Sequence, residues 1–233
     1  MICFVDYRIS IVEEKSLKNL GVKIIKVPPC NNLYNAIKGH VDIQLNILSK
    51  IEKKVIVQKD INDSFKKELT NNNINFIESK NSLGEKYPSN IALNSLILDN
   101  YFIHNLNFSD ENLLESQKNK TLVNVKQGYT KCSSLVVNNN SIITSDKGIY
   151  NSLLKHNFDI LLLPPGDIIL DGLDYGFIGG TGGLINPSTM AFFGSLEKYA
   201  YGEEVKKFLK KHNVNPIYLS NSKLYDRGSL FTL

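Results

Sequence analysis

The chain has 233 residues, of which 42% are hydrophobic and 21% are charged, and its formal net charge is +4. This composition is typical of a globular protein with a sizeable core. No apolar run approaches the ~20 residues that span a membrane, and the lysines are scattered over predicted helices and turns, which does not predict a nucleic-acid surface.

The cysteine pattern predicts neither a metal site nor a disulfide framework. Cys3, Cys30 and Cys132 lie far apart and form no CxxC pair, so we predict no metal site. An odd number of cysteines predicts reduced thiols. The first residues also lack a basic leader and a long apolar stretch. We therefore expect a cytoplasmic protein, and the sequence makes no prediction about oligomeric state.

The predicted elements repeat along the chain. The opening residues, MICFVDYRISIVEEKSLKNLGVKIIKVP, predict a strand, a helix and a strand. A longer unit begins at His40: GHVDIQLNIL and KVIVQ predict two strands. Asp60 is the expected N-cap of a helix that carries Phe65 and Leu69 on one face, and INFIE predicts a third strand.

Three more units have the same order of elements. The second begins near Asn90, with Ser109 as the expected N-cap of its helix, and the third begins at Cys132, with Asp146 before its helix. The fourth contains GGTGGLI, TMAFFG, the helix YGEEVKKFLKKHN and the strand NPIYLS. The last residues, DRGSLFTL, supply only the first strand that the opening segment lacks.

The spacing of these units favours a closed ring. The heads of the first strands are His40, Asn90, Cys132, Thr181 and Ser229, which are 42 to 50 residues apart. A doubly wound parallel sheet would have one strand per helix, whereas here two strands precede each helix. We therefore predict an α/β protein of five pseudosymmetric units, closed by the N- and C-terminal segments sharing one unit. A generic α/β protein with coincidental spacing is the alternative.

In such a ring, the polar residues at the strand heads converge on the axis. His40 and Asp42 are two apart, which predicts that both side chains lie on one face of a strand. A carboxylate beside an imidazole orients it, and a thiol near an imidazole can be held as the nucleophilic thiolate. The other head residues are Cys132 in GYTKCSS, Asp226 in YDRGS, Asn90 and Asn94, and the glycine-rich GFIGGTGG.

These motifs and the five-unit ring resemble the pentein superfamily, the fold of guanidino-group-modifying enzymes. That superfamily includes arginine and agmatine deiminases, dimethylarginine dimethylaminohydrolases and amidinotransferases. GHVD resembles its HxD strand, Cys132 lies two units later, where the nucleophile is found, and DRGSLF resembles its EGGD strand. The resemblance implies a single domain over residues 1–233, in a circularly permuted order.

The resemblance implies a cysteine-dependent hydrolase or transferase acting on an arginine-like guanidino or amidino small molecule. Cys132 would be the nucleophile, His40 the general acid and base, and Asp42 and Asp226 the groups that hold the planar cation. No metal or organic cofactor would be required. By their positions at the strand heads, we also expect the following residues to contact substrate: Asn90, Gly180, Thr181 and Ser229.

The sequence also departs from the superfamily pattern. The glycine-rich unit lacks an expected carboxylate, because Asp171 and Asp174 lie upstream and out of register. Cys132 also lacks the usual flanking glycines and histidine. These departures leave open a second function, a non-catalytic ring that binds a ligand, a protein or RNA, as in the superfamily's ribosomal-subunit anti-association branch.

Overall fold

The computed structural model describes residues 1–233. The strands are, in chain order, β1 (Ile2–Asp6), β2 (Lys23–Val27), β3 (Leu45–Ser49), β4 (Lys54–Val57), β5 (Asn75–Glu78), β6 (Leu96–Ile97), β7 (Tyr101–His104), β8 (Thr121–Asn124), β9 (Ser134–Asn138), β10 (Ser141–Thr144), β11 (Asp159–Leu162), β12 (Gly182–Asn186), β13 (Thr189–Phe192), β14 (Asn215–Tyr218) and β15 (Phe231–Thr232). The helices are α1 (Ile11–Asn19), α2 (Val41–Gln44), α3 (Asp63–Asn71), α4 (Glu111–Ser116), α5 (Lys147–Leu154) and α6 (Gly202–Lys211). None of these helices has the length and apolar character needed to cross a bilayer.

The strands form five three-stranded sheets, one for each predicted unit. In every sheet the first strand is antiparallel to the second, and the second is parallel to the third. A helix connects the two parallel strands in each unit, because a parallel pair needs a crossover connection. The predicted repeat of two strands, a helix and a third strand is therefore confirmed.

The two ends of the chain complete one sheet together. β15 pairs antiparallel with β1, with Cys3 opposite Thr232 and Phe4 opposite Phe231, and β1 pairs parallel with β2. The backbone N–H groups of Ile2 and Leu233 each donate to the other's carbonyl, at 2.8 and 2.9 Å. The prediction that the terminal segments share one unit is confirmed.

Apolar clusters join each unit to the next around the ring. One cluster, for example, packs Phe4 of β1 against Phe65 of α3, with ring centroids 6.5 Å apart. Four other clusters join the first unit to the second, the second to the third, the third to the fourth and the fourth to the split unit. Burying each large apolar side chain contributes about 1.5–3 kcal/mol, so the core stabilises the ring at all five junctions.

The helix starts differ from the sequence prediction at two of three positions. Asp146 caps α5, as predicted, and accepts the N–H of Ile149. Asn62 caps α3 in place of Asp60, since its side chain accepts the N–H of Phe65 at 2.9 Å. Asp110 replaces Ser109 at the start of α4. In each correction, a residue one or two positions further along has an oxygen that reaches the free N–H groups of the first turn.

The prediction that His40 and Asp42 lie on a strand is wrong. Residues 41–44 form the single turn α2, and β3 begins only at Leu45. The partner strand explains this result, because β4 ends at Val57, opposite Leu45. The backbone N–H of Asp42 instead donates to the carbonyl of Gly228 at 3.1 Å. This bond connects the first unit to the split unit and brings the GHVD and DRGS motifs together.

Candidate active site

The residues before the first strand of each unit, here called the head segments, meet at the centre of the ring. They are residues 40–42, 90–95, 130–133, 176–181 and 226–229. Backbone hydrogen bonds connect them directly: the N–H of Lys131 donates to the carbonyl of Asn94, and those of Arg227 and Ser229 donate to the carbonyl of Gly180. The predicted convergence of the strand heads is therefore present.

Cys132 lies at this centre and is buried, with 2% of its surface exposed. Its Sγ is 3.1 Å from Asp42 Oδ1 and 3.1 Å from the side-chain nitrogen of Asn94. The side-chain oxygen of Asn94 accepts the backbone N–H groups of Lys131 and Cys132, at 2.9 and 3.1 Å. Asn94 thus fixes both the backbone and the sulfur of Cys132 through one amide group.

His40 faces the same centre with an unsatisfied ring. Both of its ring nitrogens are buried and have no hydrogen-bond partner, which is costly unless another group satisfies them. A ring nitrogen of His40, a carboxylate oxygen of Asp42 and the Sγ of Cys132 all lie within 4.8 Å of one another. These three donor types are also those that Zn²⁺ accepts, so a metal is chemically compatible with the cluster.

Asp226 occupies the other side of the imidazole. Its Oδ1 is 3.9 Å from His40 Nδ1, and its two oxygens accept the backbone N–H groups of Phe177 and Gly228 at 2.8 and 3.0 Å. Burial raises the pKa of Asp226, and the neighbouring charge of Asp42 adds to the increase, while His40 and the two backbone N–H groups oppose it. The carboxylate is therefore positioned firmly but lacks a fixed cation in contact.

The glycine-rich segment lies directly against Asp226. A Cβ on Gly180 would lie 1.8 Å from Asp226 Oδ1, and one on Gly176 would lie 2.4 Å from Asp226 Cβ. Both distances are far below van der Waals contact. The segment that lacks an acidic residue of its own therefore allows the backbone to approach the acidic residue of the next unit.

Burial also affects the protonation of the Cys132 thiol. It raises the pKa of Cys132 well above the ordinary value, and the nearby charges of Asp42 and Asp226 raise it further, while Asn94 opposes them. The thiol of the resting protein therefore keeps its proton at neutral pH. Because a positive charge favours the thiolate, a cation that enters the site would promote ionisation of Cys132.

Lys131 is a site residue that no motif of the sequence predicts. Its ammonium is buried and lies 2.8 Å from Ser229 Oγ and 3.3 Å from the carbonyl oxygen of Gly179. Burial lowers the pKa of Lys131, and the acidic groups of Asp42, Cys132 and Asp226 oppose that shift. Its position directly before Cys132 was the one available signal, because the same backbone turn brings both side chains to the centre.

The other predicted contact residues have different surroundings. Ser229 belongs to the cluster, since its Oγ is 2.5 Å from Asp42 Oδ2, and Gly180 contributes its carbonyl. The Thr181 hydroxyl donates to the carbonyl of Ile178 at 2.7 Å, within a short 3₁₀ turn. Asn90 donates to the carbonyl of Glu85. The side chains of Thr181 and Asn90 make no hydrogen bond to Cys132 or to the charged side chains around it.

The aspartates upstream of the glycine-rich segment lie elsewhere. Asp171 accepts the hydroxyl of Tyr225, and Asp174 is exposed. Neither residue supplies the carboxylate that the superfamily pattern leads one to expect in this unit.

An apolar layer covers Cys132. Cys132 packs in a cluster with Leu33, Ile43 and other apolar residues, whose half-buried members include Tyr34, Tyr129 and Phe177. The rings of Tyr129 and Phe177 are 6.2 Å apart. Burial raises the pKa of both tyrosines, and the nearby Cys132 adds to each increase. No local pattern predicts this cover, because its residues come from three separate connections.

Several solved structures share this fold. SxtG, an amidinotransferase from Microseira wollei in the saxitoxin biosynthetic pathway, has a TM-score of 0.58 and 11% identity, over 97% of this chain and 89% of its own. DDAH from Pseudomonas aeruginosa, solved as a Cys-to-Ser mutant with citrulline, has a TM-score of 0.54 and 9% identity, over 94% and 91%. Agmatine deiminase from C. jejuni has a TM-score of 0.53 and 14% identity, over 96% and 78%.

The fold is accordingly that of the pentein superfamily, as the resemblance implied. Within it, a family model described as a family of unknown function, DUF6873, matches residues 4–231. The chain belongs to this family. No curated protein shows significant sequence similarity to it.

Proposed function

We propose that this protein is a cysteine-dependent enzyme that modifies the guanidino or amidino group of a small molecule. The observation that carries the proposal is the contact between the Cys132 thiol and Asp42, beside a buried His40 imidazole whose two nitrogens have no partner. The solved relatives support this reading, since an amidinotransferase, a DDAH and an agmatine deiminase share the fold.

The charge of the cluster suits a cationic substrate. Two carboxylates, those of Asp42 and Asp226, and one ammonium, that of Lys131, lie around Cys132. The cluster therefore contains two acidic side chains and one amine, so a cationic group fits it better than an anionic one. A guanidinium or amidinium group supplies one positive charge and several N–H donors in a plane, which match carboxylate oxygens well.

In the first half of the reaction, the bound cation favours ionisation of Cys132, and His40 accepts the thiol proton. The thiolate attacks the central carbon of the guanidinium, and the electron pair of the C=N bond moves to nitrogen. His40 then donates its proton to the leaving amine as the C–N bond breaks. An amidino-thioether on Cys132 remains.

In the second half, water or an acceptor amine adds to the same carbon, and His40 accepts its proton. The C–S bond breaks and returns its electron pair to sulfur. Water yields a urea derivative, as in a hydrolase, whereas an amine yields a new guanidino compound, as in an amidinotransferase. None of these steps needs an electron acceptor or donor, because the carbon keeps its oxidation state.

The test is labelling and turnover by wild type and Cys132→Ala. Incubation with 2-chloroacetamidine, in the presence of EDTA, should alkylate the wild type at Cys132, as located by peptide mass spectrometry. Cys30→Ala is the matched control, because Cys30 is a buried cysteine of the same apolar cluster, and it should label like the wild type. A panel of arginine-like compounds should give a urea derivative or a transferred amidino group only when Cys132 is present.

A non-catalytic ring that binds a ligand, a protein or RNA is the second candidate. The observation that favours it is complete burial: Cys132, His40 and Asp226 are each at most 2% exposed. The apolar cluster of Cys132, with the half-buried Tyr34, Tyr129 and Phe177, leaves the reactive groups closed off from solvent in this structure. A folded wild type that shows no Cys132-dependent labelling and no turnover would favour this second function and exclude the first.

A further inference from the structure

Lys131 has an unusual position for a lysine. Its side chain is buried, its ammonium donates to the Ser229 hydroxyl, and it lies 5.4 Å from the ring centroid of Phe231. A buried ammonium is costly unless a negative charge compensates it. The compensating groups are the carboxylates of the candidate site, so Lys131 belongs to the site electrostatically as well as in space.

A short chain of contacts connects Lys131 to the sulfur of Cys132. The ammonium is 2.8 Å from Ser229 Oγ, that oxygen is 2.5 Å from Asp42 Oδ2, and Asp42 Oδ1 is 3.1 Å from Cys132 Sγ. The Ser229 hydroxyl accepts a hydrogen bond from the Lys131 ammonium and donates one to the Asp42 carboxylate. Both oxygens of Asp42 are therefore engaged by groups of the protein.

Asp226 differs from Asp42 in this respect. Its oxygens accept two backbone N–H groups, and the Nδ1 of His40 is 3.9 Å away without a hydrogen bond. Each carboxylate oxygen can accept a further donor. The charge of Asp42 is matched by Lys131 through Ser229, whereas the charge of Asp226 has no such partner.

We propose that Lys131 is a positioning residue, whose ammonium, acting through Ser229, holds Asp42 against the Cys132 thiol and leaves Asp226 as the carboxylate that receives the substrate cation. The assignment of Asp226 rests on the proposed function, whereas the effect of Lys131 on the thiol does not. It follows that the site takes a substrate with a single positive charge at the reacting end, because the Lys131 ammonium already compensates one of the two carboxylates.

The reactivity of Cys132 depends on all the ionisable groups that face it. These are Asp42 in α2, His40 in the same head segment, Asp226 before β15, Lys131 in the segment of Cys132, and the hydroxyls of Tyr34 and Tyr129 in the cover. Lys131 carries the one amine among them. Its removal disfavours the thiolate, so the alkylation of Cys132 should move to higher pH.

Two alkylating probes separate the roles of Lys131 and Asp226. Neutral 2-chloroacetamide reports the reactivity of the thiol, and the ratio of rate constants for cationic 2-chloroacetamidine and 2-chloroacetamide reports the attraction of a cation. Lys131→Met, which keeps an unbranched stem, should slow the neutral probe about tenfold at pH 8 without lowering the ratio. Asp226→Asn should lower the ratio about tenfold without slowing the neutral probe.

Matched variants complete the design. Lys126→Met removes an exposed lysine of the same connection and should change neither value, while Lys131→Arg keeps the charge and should restore most of the neutral-probe rate. Ser229→Ala breaks the hydrogen-bond link to Asp42 but keeps the ammonium, so it should slow the neutral probe in the same direction as Lys131→Met by a smaller factor, which keeps the inference testable if Lys131→Met does not fold. Circular dichroism establishes folding of each variant.

Two outcomes would overturn the inference alone. One is a wild type that labels at Cys132 together with folded Lys131→Met and Ser229→Ala variants that label equally fast with the neutral probe. The other is an Asp226→Asn variant with an unchanged ratio. A folded wild type whose Cys132 reacts with neither probe would overturn the proposed function, and this inference with it.

Discussion

Gly180 is the position where one added methyl group tests how the site is built. An alanine Cβ there would lie 1.8 Å from Asp226 Oδ1 and 2.4 Å from its Cγ. The carboxylate cannot move away without losing its bonds from the N–H groups of Phe177 and Gly228. Overpacking of this kind costs about 1–3 kcal/mol. At about 2 kcal/mol, we predict that Gly180→Ala lowers Tm by about 4–8 °C in a chain of this size.

A double-mutant cycle shows whether the clash is with Asp226. All three atoms nearest to the added Cβ belong to that carboxylate group. In the double variant Gly180→Ala with Asp226→Ala, the methyl group enters space that the carboxylate has left. We therefore expect the double variant to be about as stable as Asp226→Ala alone, with a coupling free energy of about 2 kcal/mol.

Thermal and urea denaturation followed by circular dichroism measure these values. Gly172→Ala is the control, since Gly172 has a φ of +85° and no atom within 4 Å of an added Cβ. Its cost is backbone strain alone, and it should add to that of Asp226→Ala without coupling. The reasoning is refuted if Gly180→Ala unfolds within ~1 °C of the wild type or if its cost adds fully to that of Asp226→Ala.

Three further predictions concern stability. Burial holds the pKa of His104 at about 4, below the ordinary value near 6.5, so the unfolded chain binds a proton first as pH falls. The free energy of unfolding should therefore drop by about 3 kcal/mol between pH 6.5 and 4 from this group, and His104→Gln should lose that part of the slope in urea titrations; an unchanged slope would contradict the assignment. Asn62→Ala should cost about 1 kcal/mol as the loss of a helix cap, and Asp60→Ala much less; equal costs would mean that the cap is misassigned. Finally, a single domain over residues 1–233 predicts one cooperative transition, with coincident curves from far-UV circular dichroism and tyrosine fluorescence, whereas two separated transitions would argue against it.

The ring could be predicted from the sequence because its signals are local and repeated. Alternating apolar residues, a polar turn and an amphipathic helix recur at a near-constant period, and each signal depends on neighbours a few residues away. The incomplete units at the two ends were informative for the same reason. DRGSLFTL predicts one isolated strand, and the opening segment lacks the first strand of its unit. In the structure, β15 pairs with β1 as expected.

The details of the site depend on contacts between distant segments, which no local pattern encodes. The turn α2 forms where β4 ends and Asp42 bonds to Gly228 instead. Lys131 resembled a solvated lysine in the sequence, and only its contact with Ser229 assigns it to the cluster. The sequence GFIGGTGG indicates a unit without its carboxylate, whereas in the structure its glycines make room for Asp226, 46 residues after Gly180.

The most direct test of the central claim is acid-quenched mass spectrometry of the protein during incubation with a panel of guanidino and amidino compounds. We predict that at least one compound leaves an amidino-thioether on the peptide that contains Cys132. The adduct should be absent in Cys132→Ala, and His40→Gln should form it more slowly than the wild type, because this variant lacks the group that accepts the thiol proton and protonates the leaving amine. A folded wild type that forms neither adduct nor product with any compound of the panel would contradict the claim that Cys132 attacks a guanidino or amidino carbon.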